Sequence, residues 1–259
     1  MAYLQQIWST RYFWLHLTRA ELKYKFRRSK LGLLWTMINP LVLSLLMAFV
    51  FSNLLKVDIQ DFIPYIFSGN LVWSFLLDSV MGGCNSLIVS EVYIKQFKHP
   101  MAIYPLRTTL VNATTFSIAF LGLVGWIIIL HPANLLVALL VMPISLISFI
   151  ILGWPICILA SFINTKYRDF LQIAMLFMQG LWYISPVFFK PQMFESANLA
   201  NLLEYNPVTH VLNLVRAPML YGQLPTWADF GMVYGAAAIL YILAYLRIRS
   251  EENRLVFYF

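Results

Sequence analysis

Two short stripes of polar residues inside apolar sequence are where this chain could do chemistry. Asn70, Ser74 and Asp78 recur at every fourth position, so they share one helical face, which must meet protein or water in preference to lipid. Asp78 there reads either as a substrate-path or gating residue or as half of a structural ion pair with an interfacial cation. Gln172, Gln179, Tyr183 and Pro186 also fall on one face, at spacings of seven, four and three, with Trp182, Phe188 and Phe189 crowding the same end. An aromatic belt explains the rings. It does not explain two glutamines in an apolar span, which require either a polar path or hydrogen bonds across a packed helix interface.

Familiar catalytic sets do not declare themselves. The sequence holds no G-x-x-x-x-G-K-S/T phosphate loop, so it is not expected to hydrolyse ATP, and it holds neither H-E-x-x-H nor G-x-S-x-G. His16, His99, His131 and His210 stand without partner spacing and read as interfacial or loop residues. Cys84 and Cys157 lie far apart in apolar surroundings, without CxxC spacing, and read as reduced, small hydrophobes. No metal site is expected.

The elements that must hold these stripes are membrane helices. Of the 259 residues 61% are hydrophobic and only 11% charged, where a soluble domain carries about 25% charged residues. The formal net charge of +7 is spread over short segments beside apolar runs and forms no basic face, which favours membrane orientation over nucleic acid. The organising stretch runs from Tyr24 to Phe51: Arg27, Arg28 and Lys30 form a cationic collar, and Leu31 to Phe51 carries no charge. That is the pattern of a helix entering a bilayer from its anionic face.

Residues 1 to 30 read as one amphipathic helix on the membrane surface, with Leu4, Trp8, Tyr12, Leu15, Leu22 and Phe26 as its apolar stripe. No short apolar segment with a cleavage site precedes the first span, which is expected to be retained. Residues 31 to 259 read as a six-span domain: Leu31 to about Leu55, Phe62 towards Gly82, Thr108 to Leu130, Leu135 to Ile163, Phe170 to Phe189, and Phe230 to Leu246. The fourth contains Pro143 and Pro155 and is expected to kink or tilt. All but Lys56, Lys190 and Arg216 of the 18 Lys and Arg residues fall on one side of these spans, which puts both termini in the cytoplasm.

Two connections exceed plain turns. Glu91 to Pro100 reads as a short cytoplasmic amphipathic helix stopped by the proline, a handle for a soluble partner or else a solvated connector. Outside, Phe194 to Tyr205 and Pro207 to Leu220 are apolar but too short to span, which suggests helices dipping into the outer leaflet. No internal repeat is visible, so a transporter built on this chain would need a second copy.

The chain resembles the membrane subunits of type-2 ABC exporters for lipid-linked polysaccharides such as O-antigen, capsule and teichoic acid. The resemblance rests first on Phe26-Arg27-Arg28-Ser29-Lys30-Leu31-Gly32-Leu33-Leu34-Trp35 running to Asn39-Pro40. Further matches are Phe67-Ser68-Gly69 with Trp73, Asn85-Ser86-Leu87, Tyr167-Arg168-Asp169, Ser185-Pro186-Val187 and Asn206-Pro207, in order over nearly the whole chain. Asn70 departs from the pattern, since an apolar residue is more usual there.

The resemblance implies an all-α protein of the bacterial inner membrane, a homodimer of six-span subunits with an N-terminal interface helix, a coupling helix and short re-entrant periplasmic helices before the last span. It also implies two copies of a separate ABC ATPase, which bind ATP and Mg so that this chain needs no cofactor of its own, and outward export of an undecaprenyl-pyrophosphate-linked glycan, most readily O-antigen. On that footing Arg27, Arg28 and Lys30 would attract the pyrophosphate. Glu91, Tyr93, Lys95, Phe97 and Lys98 would couple to the ATPase. Gln172, Gln179, Trp182 and Tyr183 would line the channel, offering amides, a phenol and flat rings to a neutral polymer. A drug or small-lipid exporter of the same superfamily would share the fold. A membrane transferase acting on polyprenyl lipids would need clustered acids or histidines that the cytoplasmic loops hardly offer.

Overall fold

A computed structural model describes residues 2–196, 200–255 and 258, and among these the chain is helical with no strand. The helices are α1 (Ala2–Ser9), α2 (Arg11–Phe26), α3 (Trp35–Leu55), α4 (Ile59–Ser86), α5 (Glu91–Gln96), α6 (Ile103–Leu130), α7 (Leu135–Lys166), α8 (Phe170–Tyr183), α9 (Pro191–Ser196), α10 (Ala200–Tyr205), α11 (Pro207–Leu220) and α12 (Trp227–Leu255). Single 3-10 turns at Gly32–Leu34 and Pro132–Asn134 lead into α3 and α7.

Local chemistry sets most of these boundaries. Asp58 caps α4 by accepting from the Gln60 amide at 2.8 Å, and Asn206 caps α11 by accepting from the Val208 amide at 2.9 Å, with Pro207 in the first turn where its missing donor costs nothing. Thr226 and Asp229 form a reciprocal box at the start of α12: Asp229 Oδ2 accepts from the Thr226 amide and hydroxyl, and Thr226 Oγ1 accepts from the Asp229 amide. Gly32, at φ +52°, turns the chain from α2 into α3 in a left-handed conformation that side chains resist.

Four helical segments are long and apolar enough to cross a membrane: residues 32–55, 103–130, 132–166 and 227–252. The expected second and fifth spans differ from these for separate reasons. The 28-residue α4 is long enough but is diluted by Asp61, Asn70, Ser74 and Asp78; it is the central helix, packed against α3, α6, α7 and α11. The 14-residue α8 rises only about 21 Å, short of the roughly 30 Å of a hydrocarbon core. It stops at Tyr183 and not at Phe189, because residues 184–189 turn back over the bundle. The 32-residue α7 runs through Pro143 and Pro155 as one helix.

The single interface helix expected over residues 1–30 is two helices broken at Thr10, followed by a non-helical link from Arg27 to Leu31. Leu4, Trp8, Tyr12 and Leu15 lie exposed, while Ile7 and Leu17 are buried against the bundle. The helix pair thus has two apolar faces, and the stripe visible in the sequence is the outward one. The expected helix through His99 ends at Gln96: Phe97 is extended, and His99 precedes a proline that disfavours helix. Of the expected outer helix from Phe194 to Tyr205, residues 197–199 lie outside the described residues; α9 and α10 flank them.

The core is continuous along α4. Phe75, Phe116 and Phe149 pack edge-on or tilted with centroids 4.6 to 5.8 Å apart, joining α4, α6 and α7. Cys157 donates to the Ser79 carbonyl at 3.0 Å and Asn164 donates to the Cys84 carbonyl at 2.9 Å, so α7 grips α4 through polar contacts as well as apolar ones. Both cysteines are free and buried.

Candidate functional site

One end of the bundle gathers the segments in which the sequence concentrates its cations. Arg107 on α6 is almost wholly buried and pairs with Glu21 of α2 at 2.7 Å, pinning the interface helix. Glu252 on α12 accepts from the Tyr3 hydroxyl at 2.7 Å and from the Met101 amide at 2.8 Å; burial and that carboxylate raise the Tyr3 phenol well above its ordinary pKa. Glu251 pairs with Lys166 at 2.9 Å and Arg247 at 3.1 Å. Sequence reading counted Arg107 only as a loop cation, since its partner lies on another helix.

At this end Glu91 and Lys95 form an i,i+4 pair on α5, and Tyr93 and Phe97 each set a ring 6.1 Å from Phe13 of α2. Tyr93, Phe97, Lys95 and Lys98 remain exposed. The α5 segment is therefore seated on α2 and still offers two rings and two cations outward. Arg27, Arg28 and Lys30 are all exposed on the link between α2 and α3, and Ser29 Oγ braces that link by accepting from the Gly32 amide at 3.0 Å.

A crevice with scattered polar groups in a mostly apolar lining begins beneath this collar. Lys25, Asp78 and Asn112 line both a cavity of about 610 Å³ bounded by α2, α4 and α6 and an adjoining one of about 240 Å³ that reaches α3. Asn39, Pro40 and Ser74 in turn join the second to a third, of about 370 Å³, which ends at Asn70, Trp73 and Trp182. The face carrying Asn70, Ser74 and Asp78 thus lines a connected chain of cavities. Asn70 itself is spent on packing: its amide donates to Ser44 Oγ on α3 at 3.1 Å, and Ser44 donates to the Pro40 carbonyl. Lys25 and Asp78 share the cavities but stand beyond ion-pair distance, so the structural pair considered for Asp78 is not formed.

On α8 only Ala174 and Met178 are buried. Gln172, Gln179 and Tyr183 are exposed on the uncovered side, Tyr183 at 58%. Trp182 is half-buried, its ring 6.3 Å from Phe188 on the covered side and edge-on to Tyr183 at 5.0 Å. The four residues assigned to one lining therefore divide into three on the open face and one at its edge.

The opposite end of the bundle is organised by Arg216, one of the three cations on the side where the sequence has few. It is 3% exposed and meets no carboxylate among the described residues. Its guanidinium donates to the carbonyls of Pro186 (2.5 Å), Val187 (2.8 Å) and Tyr65 (3.2 Å), to the Tyr65 hydroxyl (3.1 Å) and to Ser68 Oγ (3.3 Å), and lies 3.7 Å from the Tyr65 ring. Tyr65 also donates to the Phe189 carbonyl at 2.9 Å. Asn206 donates to Ser185 Oγ at 2.9 Å. A side chain on Gly69 would strike the Val187 carbonyl and sit 2.7 Å from Arg216 Nη2. Three motifs far apart in sequence, Phe67-Ser68-Gly69, Ser185-Pro186-Val187 and Asn206-Pro207, are thereby one structure, a latch that folds the 184–189 turn over α4.

A second tie beside it was missed. Asp229 accepts from Asn213 at 2.9 Å and meets His210 Nδ1 at 2.8 Å, while His210 Nε2 lies 2.9 Å from the Glu204 carbonyl, joining α10, α11 and α12. The signal available was Thr226-Trp227-Ala228-Asp229, a capping box before an apolar run.

Comparison with known proteins gives this geometry a context. The family model for ABC-2 type transporter membrane proteins matches residues 12–220. The chain is 23% identical over 230 residues to an O-antigen export system permease protein RfbA of Klebsiella pneumoniae, covering 89% of this chain and 85% of that one. It is 23% identical over 262 residues to the protein of the same name from Myxococcus xanthus, covering 97% and 95%.

Proposed function

The chain belongs to the ABC-2 type transporter family, and from that premise we propose that it is the permease of an exporter that moves an undecaprenyl-pyrophosphate-linked polysaccharide, O-antigen by analogy with its relatives, between two copies of itself. In this reading α4 and α8 complete six spans with the four apolar segments, both termini are cytoplasmic, and α9 to α11 form the periplasmic re-entrant region. A separate ABC ATPase, two copies per transporter, binds ATP and Mg and docks on α5 and its exposed Tyr93, Lys95, Phe97 and Lys98. Arg27, Arg28 and Lys30 attract the pyrophosphate, and bidentate Arg pairing adds selectivity for phosphate over other anions. Asp78 lies at the inner end of the path.

The observation that carries the proposal is the uncovered side of α8. Gln172, Gln179 and Tyr183 are exposed there although the helix is apolar and otherwise packs through Ala174 and Met178. Two amides and a phenol facing lipid would be costly, whereas facing a second copy across a hydrated path they offer hydrogen bonds to hydroxyls with no fixed charge to trap a neutral chain. Cysteines placed singly at 172, 179 and 183 test this in the assembled transporter, with Cys84 and Cys157 left in place because both are buried. Labelling by a membrane-impermeant thiol reagent during turnover is expected at all three. Persistent protection at every one would put the path elsewhere.

A further inference from the structure

Resting on the reading of the chain as a permease for a lipid-linked glycan, we propose that the cleft between α2, α3, α4 and α6 is a saccharide subsite within each protomer, taking one neutral sugar ring of the cargo. Asp78, Asn112, Asn39 and Ser74 are its hydrogen-bonding set.

The lining specifies the ligand by exclusion. Asn112 is 6% exposed, lines both of the first two cavities, and its Nδ2 has no hydrogen-bond partner. A buried unmet donor costs about 1–3 kcal/mol unless a ligand or water meets it. Asp78, Ser74 and Asn39 line the smaller cavity from its exposed side and make no hydrogen bond within the described residues, so they are free to meet a ligand there. The neighbouring hydroxyls are already committed: Thr36 donates to the Leu33 carbonyl and Thr115 to the Asn112 carbonyl. Glu21 and Arg107, on the wall of the larger cavity, neutralise each other.

What remains in the smaller cavity is one carboxylate, one ammonium at Lys25, two amides, a hydroxyl and the Trp35 indole N–H. A single carboxylate facing a lysine is a poor cation site, and the carboxylate repels an anion. A neutral polyol satisfies all of them: vicinal hydroxyls donate to Asp78, and the amides both donate and accept. Phe26, Trp35, Phe75 and Phe116 line the same cavity and supply apolar surface for the C–H face of a sugar ring. The crevice continues past Ser74 to Trp182, on the inner side of α8.

The experiment uses the permease with its ATPase in lipid nanodiscs and reads the concentration of added lipid giving half-maximal stimulation of ATP hydrolysis. The probes are lipid-linked glycan extracted from the producing cells, polyprenyl pyrophosphate without sugar, and phosphatidylethanolamine. Loss of a hydrogen bond to a charged group predicts that Asp78→Asn raises the half-saturating glycan-lipid concentration about 10- to 100-fold. Asn112→Leu is expected to act in the same direction, while neither moves the response to polyprenyl pyrophosphate by more than about twofold. Should either variant fail to assemble, Ser74→Ala and Asn39→Ala, at side chains without internal partners, carry the same expectation. Equal shifts for the sugar-bearing and sugar-free lipids, or no shift, overturn the subsite while leaving the permease reading intact. A shift confined to phosphatidylethanolamine assigns the cleft to a zwitterionic headgroup and also overturns it. A wild-type complex unresponsive to glycan-lipid and polyprenyl pyrophosphate alike refutes the permease reading as well.

Discussion

Replacing Arg216 by Lys keeps the charge and removes the fork. The guanidinium makes five hydrogen bonds, three of them to the carbonyls of Tyr65, Pro186 and Val187. An ammonium has three donors on one atom and cannot span the same set. The Pro186 carbonyl keeps the Tyr65 hydroxyl and the Tyr65 carbonyl keeps Ser68 Oγ, so the Val187 carbonyl is the acceptor left without a donor, and the folded bundle is expected to lose about 1–3 kcal/mol. With roughly 2–4 °C per kcal/mol for a chain of this size, the melting temperature of the purified permease should fall by about 2–12 °C. Local release should accompany it: a cysteine at Val187, buried in the wild type, should become reactive in the Lys variant and stay protected with Arg. The reasoning is refuted if the variant melts within about 2 °C of the wild type and position 187 remains protected, since Arg216 would then not hold the turn.

Gly69→Ala attacks the same latch sterically: the new Cβ meets the Val187 carbonyl and Arg216, and overpacking of that kind costs about 1–3 kcal/mol, read as a lower melting temperature and loss of export. Phe97→Asp puts a carboxylate on the outward face of the α5 segment and should abolish co-purification of the ATPase while the permease still inserts; retained assembly would remove this segment from the docking surface. Replacing both Arg27 and Arg28 by Lys preserves topology and surface charge but not bidentate phosphate contacts. Export is expected to fall several-fold at limiting substrate, and unimpaired export would leave the collar only its orienting role.

Hydropathy made most of the frame legible, because a membrane helix announces itself by composition and its boundary by charge. The misplacements have particular causes. Residues 184–189 are apolar and so resembled a continuation of α8, yet their backbone carbonyls are captured by Arg216, thirty residues on. Acceptors of that kind leave no trace in side-chain identity, which is why Arg216 passed as a loop cation. The break at Thr10 was hidden because apolar spacing continues across it. Asp78 was recognised as out of place, but whether Lys25 paired with it depended on a cavity width that only packing decides. The Gln172, Gln179 and Tyr183 face was readable from helical periodicity, and Trp182 sits at its edge because one residue before Tyr183 is a turn of about 100°.

The enclosure of α4 bears on how the protein is made. The helix at the centre of the packing is absent from the four segments apolar enough to cross a membrane by themselves, and it carries Asp61 in its first turn and Asp78 towards its other end, which weaken insertion further. In the six-span reading proposed above, the translocon would meet this less apolar segment second, before α6 and α7 exist to receive it. Stable integration of α4 should await those later helices, with α3 alone holding it meanwhile through the Asn70–Ser44 contact. A cysteine placed in α4 should then react with a water-soluble thiol reagent in nascent chains ending before α6 and be protected in those extended through α7, which makes biogenesis, and not only transport, a reason for α3 and α4 to share a polar seam.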